Sequence, residues 1–364
     1  MRTDHALIPA PGPVYRRGGP ILVPRAQAPL GRLLPYQRAN GEQPIPQEEG
    51  DTVRRDGWQV DLGSRGLGDL LLGLAMAQAL HNATHEQFRT LEYVGSRADL
   101  IARCTLPVAV THGAGHRLGT TGGEQMHKFD AVPEKPPTML DLVSADVVEV
   151  HAALSMRYYL DIEQALGVRL PADADPCPKF RSAVVAPEPL HVVFVSTTSR
   201  PERKDYGADY FDVIAERLAD RRPGPWRFTL VTSPDRKPPE PTPQIEVIDG
   251  PPAVDCVDLF ASAELVIGND TGLTHLAALT ARADGSGPQV VGLYGRHGHA
   301  KWITGSPHHH AVATPFSHLM SIADACPVRD GYDDALWATS SDLRAIPAQA
   351  IADFAGQCAG WWGQ

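Results

Sequence analysis

Short apolar runs alternate along the chain with segments whose apolar residues return every three or four positions, the pattern of strands alternating with amphipathic helices. The alternation is most regular after residue 190. Val192–Val195 reads as a strand, Tyr206–Ala219 as a helix, Trp226–Thr232 and Ile245–Ile248 as strands, and Val254–Ser262 as a helix. Leu265-Val266-Ile267 then ends at Gly268, a polar turn Asn269-Asp270-Thr271 follows, and Gly272 opens a helix carrying Leu273, Leu276, Ala277 and Leu279. Gln289–Tyr294 is the next strand and Pro347–Gly360 a last helix. An earlier set is less regular. Trp58–Leu62, Leu91–Val94 and Pro107–Val110 read as strands and Ser155–Leu166 as a helix. Leu70–Leu80 is a helix apolar on almost every side, so it is expected to be buried. Strands and helices in this order predict parallel sheets with right-handed crossovers.

Five prolines between 171 and 189 separate the two sets and suit an interdomain linker. The predicted organisation is α/β: a Pro/Arg-rich extension over 1–55, an N-terminal Rossmann-like domain over 56–170, the linker at 171–189, a C-terminal Rossmann-like domain over 190–345, and a C-terminal helix over 346–364. The two domains are expected to face a cleft. Residues 112–137, rich in Gly, His and Pro, read as loop, and no repeat of solenoid period is visible.

Composition narrows the function classes. A length of 364 residues accommodates two ordinary domains. A net charge of −10 without a dense basic run argues against a nucleic-acid partner. The apolar runs are too short to span a bilayer, and no apolar region follows Arg16 and Arg17 as in a signal peptide, so a cytoplasmic protein without membrane insertion is expected. The five cysteines are scattered without C-x-x-C spacing, which disfavours a disulfide framework or a zinc site.

The chemistry concentrates at strand ends. In open α/β sheets ligands bind outside the carboxyl ends of strands. The turn before Gly272 lies at such an end, and the unpaired N–H groups of the following helix suit an anion. Thr271 adds a hydroxyl, Gly272 permits close approach, and His275 lies one helical turn on from Thr271. The segment reads as a cradle for a nucleotide diphosphate. Arg203-Lys204 follows the first strand of the second domain, where a cation can pair with phosphate; a solvated loop charge is the plainer alternative. In VVGLYGRHGHAKW, which ends a strand at Tyr294-Gly295 and continues into a polar loop, Gly292, Gly295 and Gly298 permit close backbone approach, and His297, His299 and Lys301 are candidates to line a phosphate or sugar site. His308-His309-His310 reads as an exposed loop, and no carboxylate stands at metal-ligand spacing from these histidines, so no metal is expected. Gly63–Asp69 is a second Gly-rich turn. Its G-x-x-G-x-G spacing is not the dinucleotide fingerprint, which leaves NAD weakly supported, and Asp69 is either a helix cap or a chemical group.

Taken jointly, these segments resemble glycosyltransferase family 9, the heptosyltransferase-like enzymes. IGNDTGLTHLAALT is similar to the family's Asp-Ser/Thr-Gly signature with its following His. VVGLYG resembles the strand and turn after it, GLGDLLLGLAMAQAL the N-terminal Gly-Asp before an apolar helix, and ERKDYGADYFDVIAERL the Lys-containing turn. The similarity runs from about Trp58 to Trp302. It departs where Asp205-Tyr206 replaces the Trp after the Lys motif, in the 55-residue extension, and in Cys326, which stands alone.

The resemblance implies a GT-B fold, donor nucleotide on the C-terminal domain and acceptor on the N-terminal one. It implies Lys204, Thr271, Gly272 and His275 at the donor diphosphate and Asp69 as catalytic base. Gly68, Arg203, Gly295, His297 and Lys301 are further candidates for the donor and acceptor loops. The expected reaction is inverting transfer of a sugar, heptose- or octose-type included, from a nucleoside-diphosphate sugar (ADP- or GDP-linked among the options) to a small acceptor, without a cofactor. Antibiotic assembly of lincosamide type is one setting; a lipopolysaccharide heptosyltransferase, a non-catalytic nucleotide- or sugar-binding module and an NAD-dependent oxidoreductase are the competing readings. A helix N-terminus lowers a carboxylate's basicity, a demand on Asp69 that a sulfur acceptor would ease.

Overall fold

The computed structural model describes residues 58–61, 66–84, 90–93, 97–106, 109–112, 127–130, 153, 155, 175–196, 198, 201–232, 244–322 and 340–362. The extension over 1–55, the helix expected at Ser155–Leu166 beyond its first residue, and Cys326 lie outside them.

The C-terminal half is built on six parallel strands: β6 (His191–Val195), β7 (Arg227–Thr232), β8 (Ile245–Asp249), β9 (Leu265–Asn269), β11 (Gln289–Tyr294) and β12 (His309–Ala313). Their order across the sheet is β12-β11-β9-β6-β7-β8. Renumbered within the domain this is 3-2-1-4-5-6 read from the β8 edge, the doubly wound arrangement whose order reverses between β6 and β9. Strands buried on both faces are continuously apolar, and β6 and β9 are buried at every position.

One face of the sheet is covered by α4 (Ala208–Arg221) and the C-terminal α9 (Ala348–Cys358). Phe211, Ile214, Ala215 and Leu218 recur at helical spacing on α4 and pack with Phe194 and Phe228, ring centroids 5.3 Å (Phe194–Phe211) and 5.9 Å (Phe194–Phe228) apart. The other connections carry α3 (Pro201–Lys204), α5 (Ala253–Ser262), α6 (Gly272–Ala278), α7 (His299–Trp302) and α8 (Pro315–Ile322).

In the N-terminal half β1 (Trp58–Asp61) pairs in parallel with β4 (His127–Asp130), and β2 (Thr90–Tyr93) with β3 (Ala109–His112). The long helix α1 (Leu67–Thr84) buries Leu70, Leu71, Leu72, Leu74, Ala75, Ala77 and Ala79, as its all-round apolar surface requires. The described part of the proline-rich stretch is packed: β5 (Phe180–Arg181) pairs with β10 (Thr280–Ala281), and Pro176, Cys177 and Pro178 are buried. Arg103, following α2 (Ala98–Ala102), spans the halves by donating to the Arg181 carbonyl, the Val254 carbonyl and Asp258.

Candidate functional site

The reversal of strand order between β6 and β9 opens a crevice at their carboxyl ends, and the chain places its charged groups there. Lys204 ends α3, which follows β6. Asp270 follows β9 directly, His275 lies on α6, and His297 follows β11. All four meet. Lys204 Nζ is 2.7 Å from Asp270 Oδ2, His297 Nδ1 is 3.3 Å from the same oxygen, and His275 Nε2 is 3.5 Å from Oδ1. Asn269, the last residue of β9, fixes the loop that delivers Lys204. Its carbonyl oxygen Oδ1 accepts from the Tyr206 N–H at 3.0 Å, and Nδ2 donates to the Ser196 carbonyl and to Asp205 Oδ1, each at 3.1 Å. Tyr206 is buried and donates its hydroxyl to the Ile346 carbonyl, which ties this loop to the segment before α9.

The electrostatics follow from the burial. Only 5% of the Asp270 side chain is exposed, against 18% for Lys204 and 11% for His297. Burial alone pushes the Asp270 carboxyl up, but Lys204, with hydrogen bonds from His275 and His297, outweighs it and holds the group well below the usual carboxylate range. His297 is pushed down by burial and by Lys204, against the pull of Asp270, so it is neutral at pH 7. A carboxylate only accepts, so His297 carries its proton on Nδ1 and His275 on Nε2. The other nitrogen of His275, Nδ1, is buried and finds no hydrogen-bond partner among the described residues; the same holds for Trp302 Nε1, whose ring centroid lies 6.1 Å from that of His297. Unsatisfied buried polar atoms each cost about 1–3 kcal/mol, and they mark places where a ligand's polar groups are accommodated at a gain.

Two helix N-termini converge beside this cluster. A Cβ added to Gly272, the first residue of α6, would lie 2.7 Å from the Gly68 nitrogen, 2.7 Å from Leu67 Cβ and 2.9 Å from Leu67 Cγ. Gly272 is therefore required by the start of α1, which occupies the side on which an anion was expected to approach. Gly68 is matched to it, its own Cβ position falling 3.6 Å from Gly272 Cα and 4.0 Å from His275 Cδ2. Thr271 caps α6 from an extended backbone without using its hydroxyl as a cap.

The remaining predicted residues divide. Asp69 is the third residue of α1, whose first turn is closed by the Leu70 N–H donating to the Gly66 carbonyl, so Asp69 is not the cap. The glycines in β11 and in the loop after it admit protein on their Cβ side. Gly292 makes room for Tyr294 and His309, Gly295 for the Ser341 carbonyl and Leu343, with the Arg203 carbonyl alongside, and Gly298 for the Met320–Ser321 backbone. Lys301 is almost fully buried in α7. His299 is a core histidine, hydrogen-bonded to Ser321 and stacked on His318, with burial driving its pKa down to about 4. The expected exposed loop at 308–310 is a correction: His309 and His310 belong to β12. His309 is fully buried between Tyr294 (3.3 Å) and Thr304 (3.1 Å), because partners for both ring nitrogens are on hand. Sequence reasoning passed over Asp270 and Asn269 as turn residues. The available signal was a carboxylate two residues after the apolar run Leu265–Gly268, where solvent is scarce. It also passed over Arg296, buried over the Phe316 ring at 5.8 Å and close enough to Arg203 to feel its charge. Among the described residues no group of His, Cys, Asp or Glu is arranged to hold a metal ion, and no helix is long and apolar enough to cross a membrane.

Residues 254–329, which contain the Asp270 motif, match the model of glycosyltransferase family 9 (heptosyltransferase), and the resemblance seen in the sequence holds there. No curated protein matches the chain. Solved structures share its fold at low identity. The E. coli heptosyltransferase WaaC with ADP is 13% identical at a TM-score of 0.51, over 81% of this chain and 98% of that one. A family 9 glycosyltransferase from Veillonella parvula DSM 2008 is 12% identical at 0.53, over 82% and 96%. TibC of enterotoxigenic E. coli H10407, a dodecameric iron-containing heptosyltransferase solved with ADP-D-beta-D-heptose, is 13% identical at 0.54, over 87% and 81%. The architecture is GT-B.

Proposed function

We propose that the protein is an inverting glycosyltransferase that moves a sugar from a nucleoside-diphosphate sugar to a small acceptor. The observation that carries this reading is the cluster of Lys204, His275 and His297 around the buried Asp270, at the switch point of a doubly wound sheet and within the family-matched segment. Negative charge grows on the leaving diphosphate during transfer, and donors already in place there stabilise the transition state without reorganising. Lys204 supplies the fixed charge and the Thr271 hydroxyl a further donor, while His275 spends its Nε2 proton on Asp270 and Gly272 admits the start of α1. The abutting positive ends of α1 and α6 repel one another, and an anion nearby relieves that repulsion.

The acceptor lies on the α1 side of the cleft, with Asp69 in the first turn of α1 as the base that takes its proton. An acidic acceptor group such as a thiol asks least of this base. The donor nucleotide is ADP-linked by preference, since the WaaC and TibC structures hold ADP and ADP-heptose. A natural-product acceptor accords with the lack of a basic or long apolar stretch facing a membrane. No metal or cofactor enters this mechanism, and the domains 56–170 and 190–345 are the acceptor and donor units.

The test is thermal shift of the full chain with ADP, GDP, UDP, dTDP and NAD in the absence of metal, followed by donor consumption with the matching sugar nucleotide. Mass action predicts a selective rise in melting temperature for one nucleoside diphosphate. A shift with NAD alone overturns the reading, and nucleotide binding without turnover for any acceptor class supports a binding module in its place.

A further inference from the structure

Within the Asp270 cluster the four groups are not equally accessible. His275 and Asp270 are each 5% exposed, whereas Lys204 and His297 form the outer edge at 18% and 11%. The His297 proton sits on Nδ1 toward Asp270, so its basic nitrogen is Nε2, on the opposite side of the ring. The ring is held in place. Ser317 Oγ on α8 donates to the His297 carbonyl at 2.6 Å, and Trp302 on α7 lies against it. The charged groups facing His297 are Asp270 from the end of β9, Lys204 from α3 and Arg296 from its own segment; α7 brings Trp302 near the ring and α8 brings Ser317 to its carbonyl.

We propose that His297 is a donor-binding residue that charges with the ligand: as a nucleoside diphosphate binds against Lys204, His297 Nε2 takes one proton from solvent, and it returns that proton when the diphosphate leaves. This rests on the glycosyltransferase reading above. In the free protein, Lys204 repels a proton from His297 and Asp270 attracts it, so the ring stays neutral. A diphosphate within reach of Lys204 cancels that repulsion and adds negative charge of its own, and both changes favour the imidazolium. No bond other than N–H forms or breaks. Asp270 Oδ2 then holds two cations in register, His297 beside Lys204, where in the free protein it holds Lys204 alone.

The experiment is calorimetric titration of ADP into the full-length protein at pH 7.5 in HEPES and in Tris, whose ionisation enthalpies differ. The slope of heat against ionisation enthalpy counts protons. The wild type is expected to take up roughly half a proton per ADP, which requires the ligand to carry the imidazole from below the ordinary histidine value up to near the working pH. His297→Gln and His297→Asn are expected to lose most of that uptake and to bind ADP about tenfold more weakly; Asn retains an N–H toward Asp270, so two variants guard against a failure to fold. ADP binding with buffer-independent heat in the wild type overturns the proposal and leaves the glycosyltransferase reading standing. Uptake that persists in either folded variant overturns it too. No binding of ADP, GDP, UDP or dTDP by the wild type overturns the function reading and this proposal together.

Discussion

Replacing Asp270 with Asn is the sharpest test of the cluster as a structural unit. The substitution keeps the side-chain shape and removes the charge that three groups share. Lys204, 82% buried at its side chain, is then left without its carboxylate, whose Oδ2 lies 2.7 Å from Nζ. Removing one partner of a buried ion pair typically costs 3–5 kcal/mol. Here the Lys204 tip retains some solvent and the Asn carbonyl still accepts one hydrogen bond, which puts the expected loss at about 2–3 kcal/mol. The sign of the pH dependence follows from the direction of the shift. Asp270 is held below its ordinary value, so its contribution is complete above the unfolded carboxyl pKa of about 3.9 and fades as pH falls through the folded value. Urea unfolding at pH 7 is therefore expected to show a lower midpoint for Asp270→Asn than for wild type. The gap should narrow steadily below pH 4, where the wild type alone is losing this term. A variant within 0.5 kcal/mol of wild type at pH 7, or a gap that widens on acidification, refutes the reasoning.

Other substitutions probe the neighbouring contacts. Gly272→Ala forces a methyl group to 2.7 Å from the Gly68 backbone, so α1 must shift; overpacking of this kind costs about 1–3 kcal/mol, and hydrogen exchange is expected to show faster opening of the first turn of α1 with α4 unchanged. Lys204→Met keeps the stem and removes the charge, and is expected to weaken nucleoside-diphosphate binding about tenfold or more, measured by titration, with donor turnover falling in step. His309→Leu leaves the Tyr294 hydroxyl and the Thr304 N–H without their buried partner. A loss of about 2–4 kcal/mol in chemical denaturation is expected, and an unchanged midpoint would show that this histidine is dispensable packing. Arg103→Ala removes donors to Arg181, Val254 and Asp258 and is expected to raise protease cleavage within the proline-rich stretch.

Much of the C-terminal half was legible in the chain because its signals are local. β6, β7, β8, β9 and β11 were recoverable from apolar runs to within about two residues, and α4, α5 and α9 from helical spacing. The all-round apolar surface of α1 announced its burial before any partner was known. β12 was hidden by its own composition. His309-His310 reads as polar, and only the neighbouring Tyr294 and Thr304 make a fully buried histidine tolerable there. The short strands β5 and β10 were hidden for a related reason: two residues carry no periodicity, and each exists only because the other lies beside it.

The same division runs through the site. Local sequence signals suffice to put Lys204, Thr271, Gly272 and His275 at strand ends of an α/β sheet, since strand, turn and helix N-terminus are written in consecutive residues. Strand order, however, is decided by which faces bury together, and it alone put the ends of β6 and β9 side by side. From that adjacency come the pairing of Lys204 with a carboxylate 66 positions away and the presence of His297 on the same oxygen. Tertiary structure also reassigned Gly272 to a contact with Gly68, on a helix some 200 residues earlier. Hydrophobic periodicity specifies which way a side chain faces, and charges gather only once the packed sheet has brought their backbones within a few ångströms.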